Sequence, residues 1–188
     1  MTWTSTGLLA LPLSDFLDAV AAREPAPGGG AVSAVVVGLA AALTSMTAQF
    51  STARLPEAAA IAAEAEQLRA RVAPLADRDA AAYGDVLAAF ALPRDDPGRH
   101  GAVQRALGFA ADVPLEIAEA GAAVVSLAGR LERAGNANLR GDAVTARVLA
   151  AAAVRSATTL VELNLSDPDE PRVRRARELA DAASAFGS

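Results

Sequence analysis

The sequence predicts an all-α fold, a multi-helix bundle built around one buried central helix in a single domain spanning residues 1–188. Three observations support this prediction. No segment alternates apolar and polar residues as a half-buried strand does, whereas apolar residues recur at helical spacing in several segments. Residues 25–53 carry no charge at all. A chain of 188 residues is also long enough for one domain with a sizeable core.

The charge-free run opens with Pro25-Ala26-Pro27-Gly28-Gly29-Gly30 and predicts a turn that leads into a buried helix from Ala31 to Thr52. Its prolines disfavour helix upstream, and its three glycines can take backbone angles that other residues avoid. The N–H groups at such a helix start favour an anion or a polar ligand group. A membrane span is the alternative on length, but the Ser, Thr and Gly content and the lack of a flanking aromatic or basic belt favour a core helix.

Caps and breakers predict the neighbouring helices. A short amphipathic helix covers Leu13–Ala21, with Ser14 as its N-cap. Pro56 opens the helix after the central one, and Pro74 breaks it before another helix that runs to about Phe90. The apolar stripe of the helix after Pro56 is Ile61, Ala65, Leu68 and Val72.

The second half of the chain begins with a surface loop, residues 92–101. One helix is expected to carry Val103, Leu107 and Ala110, and a separate one to start near Pro114 and run to about Arg133. A polar connection, residues 135–142, then ends in Asp142, which is expected to cap a helix over residues 143–163. Asp167 and Pro168 are expected to start the last helix. That last helix is expected to carry Val173, Ala176, Leu179 and Ala180.

Composition excludes several classes of function. The net charge of −5 argues against nucleic acid as a partner. The absence of cysteine excludes disulfides, thiolate zinc sites and a cysteine nucleophile. The one histidine, His100, lies in a Pro/Gly/Arg loop and is expected to be exposed, which disfavours a catalytic triad and a transition-metal site. The start of the chain lacks the basic region of a signal peptide, so a cytoplasmic protein without a membrane segment is expected.

Carboxylates remain for acid–base chemistry. Asp77 and Asp79 are two residues apart, which is about 200° around a helix, so they cannot share one pocket. Asp79 and Tyr83 are four apart and share a face, next to the apolar residues 80–82. From spacing alone Asp79 either turns inward as an acid–base group or lies exposed near the helix start, and both interpretations stay open.

A set of motifs in a fixed order resembles the C-terminal domain of formiminotransferase-cyclodeaminase and its stand-alone bacterial relatives, which include methenyltetrahydrofolate cyclohydrolases. These motifs span nearly the whole chain. They are Phe16-Leu17-Asp18-Ala19-Val20, Pro25-Ala26-Pro27-Gly28-Gly29-Gly30, Asp77-Arg78-Asp79-Ala80-Ala81-Ala82-Tyr83, Leu92-Pro93-Arg94, Val113-Pro114-Leu115, Gly135-Asn136-Ala137-Asn138-Leu139-Arg140-Gly141-Asp142 and Leu163-Asn164-Leu165.

The resemblance implies an all-helical homodimer that acts on a one-carbon adduct of tetrahydrofolate without a metal or a cofactor. Asp79 matches the aspartate credited with catalysis. The Pro27–Gly30 turn and the segment of Asn136, Asn138 and Asp142 match the pieces that line the family's pocket, and Tyr83 joins them as a substrate-binding candidate one turn from Asp79. A 53% apolar composition also favours a dimer, held by Ala- and Gly-rich helix faces.

The sequence departs from the family pattern at four positions. Ala31 and Gly141 stand where many relatives have Ser, Arg94 replaces a Lys, and Thr159 falls where an Asn-Val pair would begin. Three functions therefore stay open: a methenyltetrahydrofolate cyclohydrolase, a formimidoyltetrahydrofolate cyclodeaminase, and a non-catalytic folate-binding or assembly protein. The cyclohydrolase is favoured because no formiminotransferase accompanies the domain in this sequence.

Overall fold

A computed structural model describes residues 7–185, and the all-α prediction is confirmed: no strand occurs among these residues. The helices follow one another as α1 (Leu13–Ala21), α2 (Gly29–Gln49), α3 (Ala58–Val72), α4 (Leu75–Ala91), α5 (Arg99–Ala134), α6 (Arg140–Asn164) and α7 (Pro171–Ala185). Short 3-10 turns precede α1 (Leu8–Ala10) and α6 (Ala137–Leu139).

Helix α2 is the centre of the bundle and packs against α3, α4, α5 and α6. Its inward residues are small, so neighbouring helices approach closely. Hydroxyls buried on α2 are satisfied locally: Thr44 and Thr47 each donate to the carbonyl four residues back, at 2.8 Å. The predicted buried helix is confirmed, but it begins at Gly29 and ends at Gln49 rather than covering 31–52. The completely buried small residues of α2 include Ala31, Ala34, Ala40, Ala41 and Ala48.

Helix α6 runs antiparallel to α2 along its whole length. At one end Ser33 Oγ lies 3.0 Å from Ser156 Oγ, and at the other the N–H of Asn136 donates to Ser51 Oγ at 2.9 Å. Gly121 of α5 lies close against α6, because a Cβ there would lie 2.7 Å from Val154 Cγ2. Any larger residue at position 121 would push α5 and α6 apart.

Two helices, Gly29–Gln49 and Ala137–Asn164, are long and apolar enough to cross a bilayer on length and composition alone. In the bundle both are packed against other helices, and 56% of the apolar window of α2 is buried inside the protein.

Four of the predicted helix starts are wrong in detail. Pro56 does not open α3, which begins at Ala58 with Glu57 as its N-cap. Ser14 lies inside α1, whose N-cap is Pro12, and its hydroxyl bonds Asp15 instead. Asp142 lies in the first turn of α6 and does not cap it, because the 3-10 turn before α6 is capped by the side chain of Asn136 and leads straight into the helix. The last helix starts at Pro171, where the Glu170 carboxylate accepts the N–H of Arg172 at 2.7 Å.

The two helices expected on either side of Pro114 are one continuous helix, α5. Proline has no N–H, so the carbonyl of Ala110, four residues before it, loses its partner in the helix. Asn164 supplies the missing donor, with Nδ2 at 3.0 Å from that carbonyl oxygen. This interaction explains why α5 continues through the proline. His100 is exposed as expected, but in the first turn of α5 rather than in the loop.

The role of Asn164 leads to a stability prediction. Asn164→Leu should lower the free energy of unfolding by about 1 kcal/mol, because the carbonyl of Ala110 is left without its donor. Pro114→Ala restores an N–H inside α5, so the double variant should recover most of that loss. Urea unfolding of the wild type, both single variants and the double variant measures this coupling. Equal midpoints for the wild type and Asn164→Leu would show that the hydrogen bond contributes nothing.

Candidate active site

Three consecutive side chains of α4 reach three different elements. Asp77 Oδ1 accepts the N–H of Leu8 at 2.9 Å. The Arg78 guanidinium binds both oxygens of Glu116 on α5, at 2.7 and 2.9 Å. Because successive helical residues point about 100° apart, the third side chain, Asp79, turns towards α2. The two aspartates therefore do not share a pocket, as predicted, and together the three contacts fix the rotation of α4.

The carboxylate of Asp79 lies at the first turn of α2. Its Oδ2 accepts the N–H of Ala31 at 3.1 Å, in the position of a side-chain cap supplied by another helix. Burial raises the pKa of Asp79 because desolvation disfavours the charged form, and the hydrogen bond from Ala31 offsets part of this rise. The side chain of Asp79 therefore turns inward rather than lying exposed, and its acid–base role stays a prediction.

The three glycines belong to the start of α2 rather than to a separate turn. Gly28 is the N-cap, and Gly29 and Gly30 are the first two helical residues. The expectation of unusual backbone angles is wrong, since no glycine in the described part of the chain has a positive φ. The reason for glycine is steric at one position: a Cβ on Gly30 would lie 1.9 Å from Asp79 Oδ1. Pro27 is buried just before this start, after a cis peptide bond.

A cavity of about 370 Å³ opens in front of Asp79. The residues that line it are Pro25, Ala26, Gly28, Gly29, Gly30, Asp79, Tyr83, Ala110, Leu160, Leu163 and Asn164. A second cavity of about 700 Å³ lies between α1 and α4, and it shares Pro25, Ala26 and Tyr83 with the first. The larger one has a mainly apolar lining and carries the carboxylates of Asp15, Asp18 and Glu24. We take the smaller cavity as the candidate reactive centre because it is lined by Asp79, whose pKa is raised by burial.

The structure brings one part of the predicted site together and leaves another part out. Asp79, Tyr83 and the glycines meet at the N-terminal end of α2. The segment of Asn136, Asn138 and Asp142 lies at the other end, since Asn136 Nδ2 donates to the carbonyl of Phe50 at 3.2 Å. A 21-residue helix is about 30 Å long, so these residues do not line the same cavity within one chain.

The sequence prediction missed one wall of this cavity, formed by Ala110 of α5 and by Leu160, Leu163 and Asn164 of α6. The three α6 residues lie on one face at spacings of three and four. A signal was present, because Pro114 frees the carbonyl of Ala110 and so requires a donor close to it.

The raised pKa of Asp79 predicts a pH dependence of stability. Above the ordinary aspartate pKa the unfolded chain releases this proton, while the folded chain still holds it until the pH reaches the raised value. The folded state therefore binds more protons in that window, and the contribution of Asp79 falls as pH rises through it. Asp79→Asn should match the wild type in acid and become the more stable protein towards neutral pH. Denaturant unfolding from about pH 3 to about pH 8 tests this, and a constant difference would contradict it.

Comparison with known proteins gives a consistent result. The family profile described as formiminotransferase-cyclodeaminase matches residues 12–182. A methenyltetrahydrofolate cyclohydrolase of Methylorubrum extorquens is 30% identical over 168 residues, which cover 84% of this chain and 81% of that protein. The formimidoyltransferase-cyclodeaminase of Rattus norvegicus is 32% identical over 170 residues, 85% of this chain but 31% of that protein, so the chain spans about a third of such relatives.

A solved structure has the same fold. The formiminotetrahydrofolate cyclodeaminase of Thermotoga maritima superposes with a TM-score of 0.82 at 30% identity, and the match covers 96% of this chain and 91% of that one.

Proposed function

The chain belongs to the formiminotransferase-cyclodeaminase family, and on that premise we propose that it is an enzyme of folate one-carbon metabolism that hydrolyses 5,10-methenyltetrahydrofolate to 10-formyltetrahydrofolate. The observation that carries the proposal is the Asp79 carboxylate, half-buried at a cavity and held by the N–H of Ala31. Asp79 is the general acid–base residue in this proposal.

The substrate needs little from the protein. Its amidinium cation is already electrophilic at the bridging carbon, so neither a metal nor a cofactor is required. Asp79 accepts a proton from water as the water oxygen bonds to that carbon. The protonated Asp79 then returns the proton to N5 as the carbon–N5 bond breaks, and the hydroxyl proton leaves to give the formyl group. A raised pKa suits the first step, because it makes the carboxylate a stronger base, and it lets Asp79 hold the proton until N5 accepts it.

The start of α2 offers backbone N–H donors for the oxygen atom that ends as the formyl oxygen. The N–H of Ala31 is used by Asp79, but those of Gly29 and Gly30 have no acceptor among the described residues. Unpaired backbone N–H groups at a helix start donate hydrogen bonds to a polar ligand oxygen. We assign them to the oxygen of the hydrated intermediate.

The two cavities suggest how a folate would lie. The reactive N5–N10 bridge is between the pterin ring and the aminobenzoyl-glutamate, and Tyr83 stands between the two cavities. The carboxylates of Asp15, Asp18 and Glu24 match the N–H donors of a pterin edge and repel the glutamate. We therefore place the pterin in the larger cavity and the aminobenzoyl end beside Leu160 and Leu163.

The test is a turnover assay with the purified protein. The absorbance of 5,10-methenyltetrahydrofolate should decay faster than its spontaneous hydrolysis, at a pH where the latter is slow. Binding without turnover would instead identify a folate-binding protein that has lost the chemistry.

A cyclodeaminase is the second candidate, because the Thermotoga maritima neighbour carries that name. One folate nitrogen would attack the formimino carbon, and ammonia would leave with a proton from Asp79. Ammonia release from 5-formimidoyltetrahydrofolate, with no hydrolysis of the methenyl form, would favour it.

We also propose a cytoplasmic homodimer as the working form. The helix faces available for such a dimer differ from the composition-based expectation, since the Ala-rich face of α2 is buried within the chain. The exposed side chains of this helix are larger apolar ones. Leu39 is 59% exposed, and Phe50, the C-cap of α2, is 65% exposed.

A further inference from the structure

The cavity in front of Asp79 is lined by three polar side chains, those of Asp79, Tyr83 and Asn164. The first two come from α4, and Asn164 is the last residue of α6. In the proposed reaction Asp79 moves the proton, while the side chain of Asn164 has no part. Asn164 is therefore a polar group on the wall of this cavity whose contribution to the chemistry is unassigned.

The amide of Asn164 is held in one orientation. Its Nδ2 lies 3.0 Å from the carbonyl oxygen of Ala110, and a carbonyl only accepts, so the nitrogen lies on this side and Oδ1 on the other. Pro114 keeps that carbonyl available, since it has no N–H to compete for it. The backbone is fixed as well, because the N–H of Leu165 donates to the carbonyl of Val161 at 3.0 Å where α6 ends.

The Oδ1 atom of Asn164 accepts no hydrogen bond in the part of the chain that the structure describes. Across the same residues no side-chain oxygen or nitrogen is both buried and without a partner, so Oδ1 of this half-buried residue is accessible. Asn164 lines the cavity, and its Oδ1 is thus a fixed acceptor that a bound molecule with an O–H or N–H can use.

The water that attacks the bridging carbon needs more than one acceptor. It has two hydrogens and two lone pairs, and one lone pair must point at the carbon. Asp79 takes one hydrogen, but a single hydrogen bond leaves the water free to rotate about it. A second acceptor stops this rotation and keeps the lone pair aimed. An amide oxygen suits the role, because it accepts a hydrogen bond without competing with Asp79 for the proton.

We propose that Asn164 Oδ1 is this second acceptor and holds the attacking water, an inference that rests on the proposed hydrolysis. The water oxygen bonds to the carbon as one hydrogen passes to Asp79, and the other hydrogen stays on the oxygen, bonded to Asn164. Asp79 then returns its proton to N5 as the carbon–N5 bond breaks. The remaining hydroxyl proton passes to solvent as the formyl group forms.

Tyr83 is a less suitable second acceptor. Its side chain is 45% exposed, and its hydroxyl makes no hydrogen bond within the described residues, so nothing there fixes its direction. It also stands between the two cavities, where the folate itself is placed. A group that is already held in place loses less freedom when it orients a reactant, which favours Asn164.

A double variant separates this role from the structural role of the same side chain. Asn164→Leu should lower turnover by about 10²-fold, the loss expected when a reacting group is misplaced by about 1 Å. Adding Pro114→Ala gives the carbonyl of Ala110 an N–H from α5, so the double variant should regain stability but stay as slow as Asn164→Leu. Turnover restored together with stability would overturn the proposal, since Asn164 would then act only on the fold.

Pro114→Ala by itself is the control. Asn164 is retained, and the carbonyl of Ala110 has two lone pairs, so it can accept both donors. Turnover should stay well above that of Asn164→Leu. An equal loss in the two single variants would assign the effect to the backbone of α5 and overturn the role of Oδ1.

Steady-state constants distinguish holding a water from binding the folate. Asn164→Leu should lower kcat and leave KM nearly unchanged, with the acid limb of the pH profile, which reports Asp79, in its wild-type position. A raised KM at unchanged kcat, or a displaced acid limb, would overturn the proposal. Absence of turnover in the wild type would refute the proposed function itself, whereas equal turnover in the wild type and Asn164→Leu would refute only the role of Asn164.

Discussion

Asp79→Asn is expected to reduce turnover of 5,10-methenyltetrahydrofolate by about 10²–10⁴-fold, the usual contribution of a general acid–base residue. The amide keeps the size of the side chain, and its oxygen can still accept the N–H of Ala31. What is lost is the ability to accept a proton from water. Substrate affinity should change much less, although it should weaken because a negative charge near a cation is gone.

Asp77→Asn is the matched control. Asp77 is on the same helix and also accepts a backbone N–H, from Leu8, but it lies away from the cavity in front of Asp79. Its amide would keep that hydrogen bond, so turnover should stay near that of the wild type. Equal and near-full activity in the two variants would remove Asp79 from the mechanism. The raised pKa of Asp79 adds a second readout, since wild-type turnover should fall with acid at a higher pH than an ordinary aspartate would give.

Gly30→Ala is the substitution with the second largest expected effect. The new methyl group would occupy the place of the Asp79 carboxylate, whose Oδ1 is 1.9 Å from the Cβ position. The carboxylate must move, and a displacement of about 1 Å at a reacting group costs about 10²-fold in rate. Helix content should be unchanged, because alanine is a better helix former than glycine.

Gly29→Ala separates this steric effect from a general effect at the helix start. The two glycines are neighbours in the first turn of α2 and gain the same helix propensity from alanine. A Cβ on Gly29 would meet only Leu160 Cδ1, at 3.9 Å, which is an ordinary contact. Turnover should therefore fall much further in Gly30→Ala than in Gly29→Ala. Similar losses in both would point to the backbone of this turn rather than to the Asp79 carboxylate.

The sequence predicted the presence and the buried faces of most helices, because apolar spacing and proline breaks are local signals. Pro74 ends α3, and the stripe from Ile61 to Val72 is buried as its spacing indicated. The failure at Pro114 has a non-local cause: the donor that lets α5 continue comes from Asn164, fifty-four residues away from Ala110. No local pattern around the proline contains that information.

The candidate site was predicted in part for a similar reason. The spacing of Asp79 and Tyr83 identified a shared face, but it could not decide whether that face turns inward. The decision lies in the contacts that orient α4, above all the pairing of Arg78 with Glu116 on α5. The need for glycine at position 30 likewise arises from the approach of α4 to α2. From the sequence alone, Gly30 cannot be distinguished from Gly28 or Gly29 in this respect.

The contacts made by residues 77–79 also connect the N-terminal segment, through α4, to the Asp79 carboxylate. The N–H of Leu8 donates to Asp77, and the N–H of Ala31 donates to Asp79, two residues further along α4. A movement of α4 away from the bundle would expose both amides to solvent hydrogen exchange in the same opening event. The 3-10 turn Leu8–Ala10 and the Asp79 carboxylate therefore belong to one cooperative unit of unfolding, so an opening of α4 that frees Leu8 also removes the geometry of the candidate site.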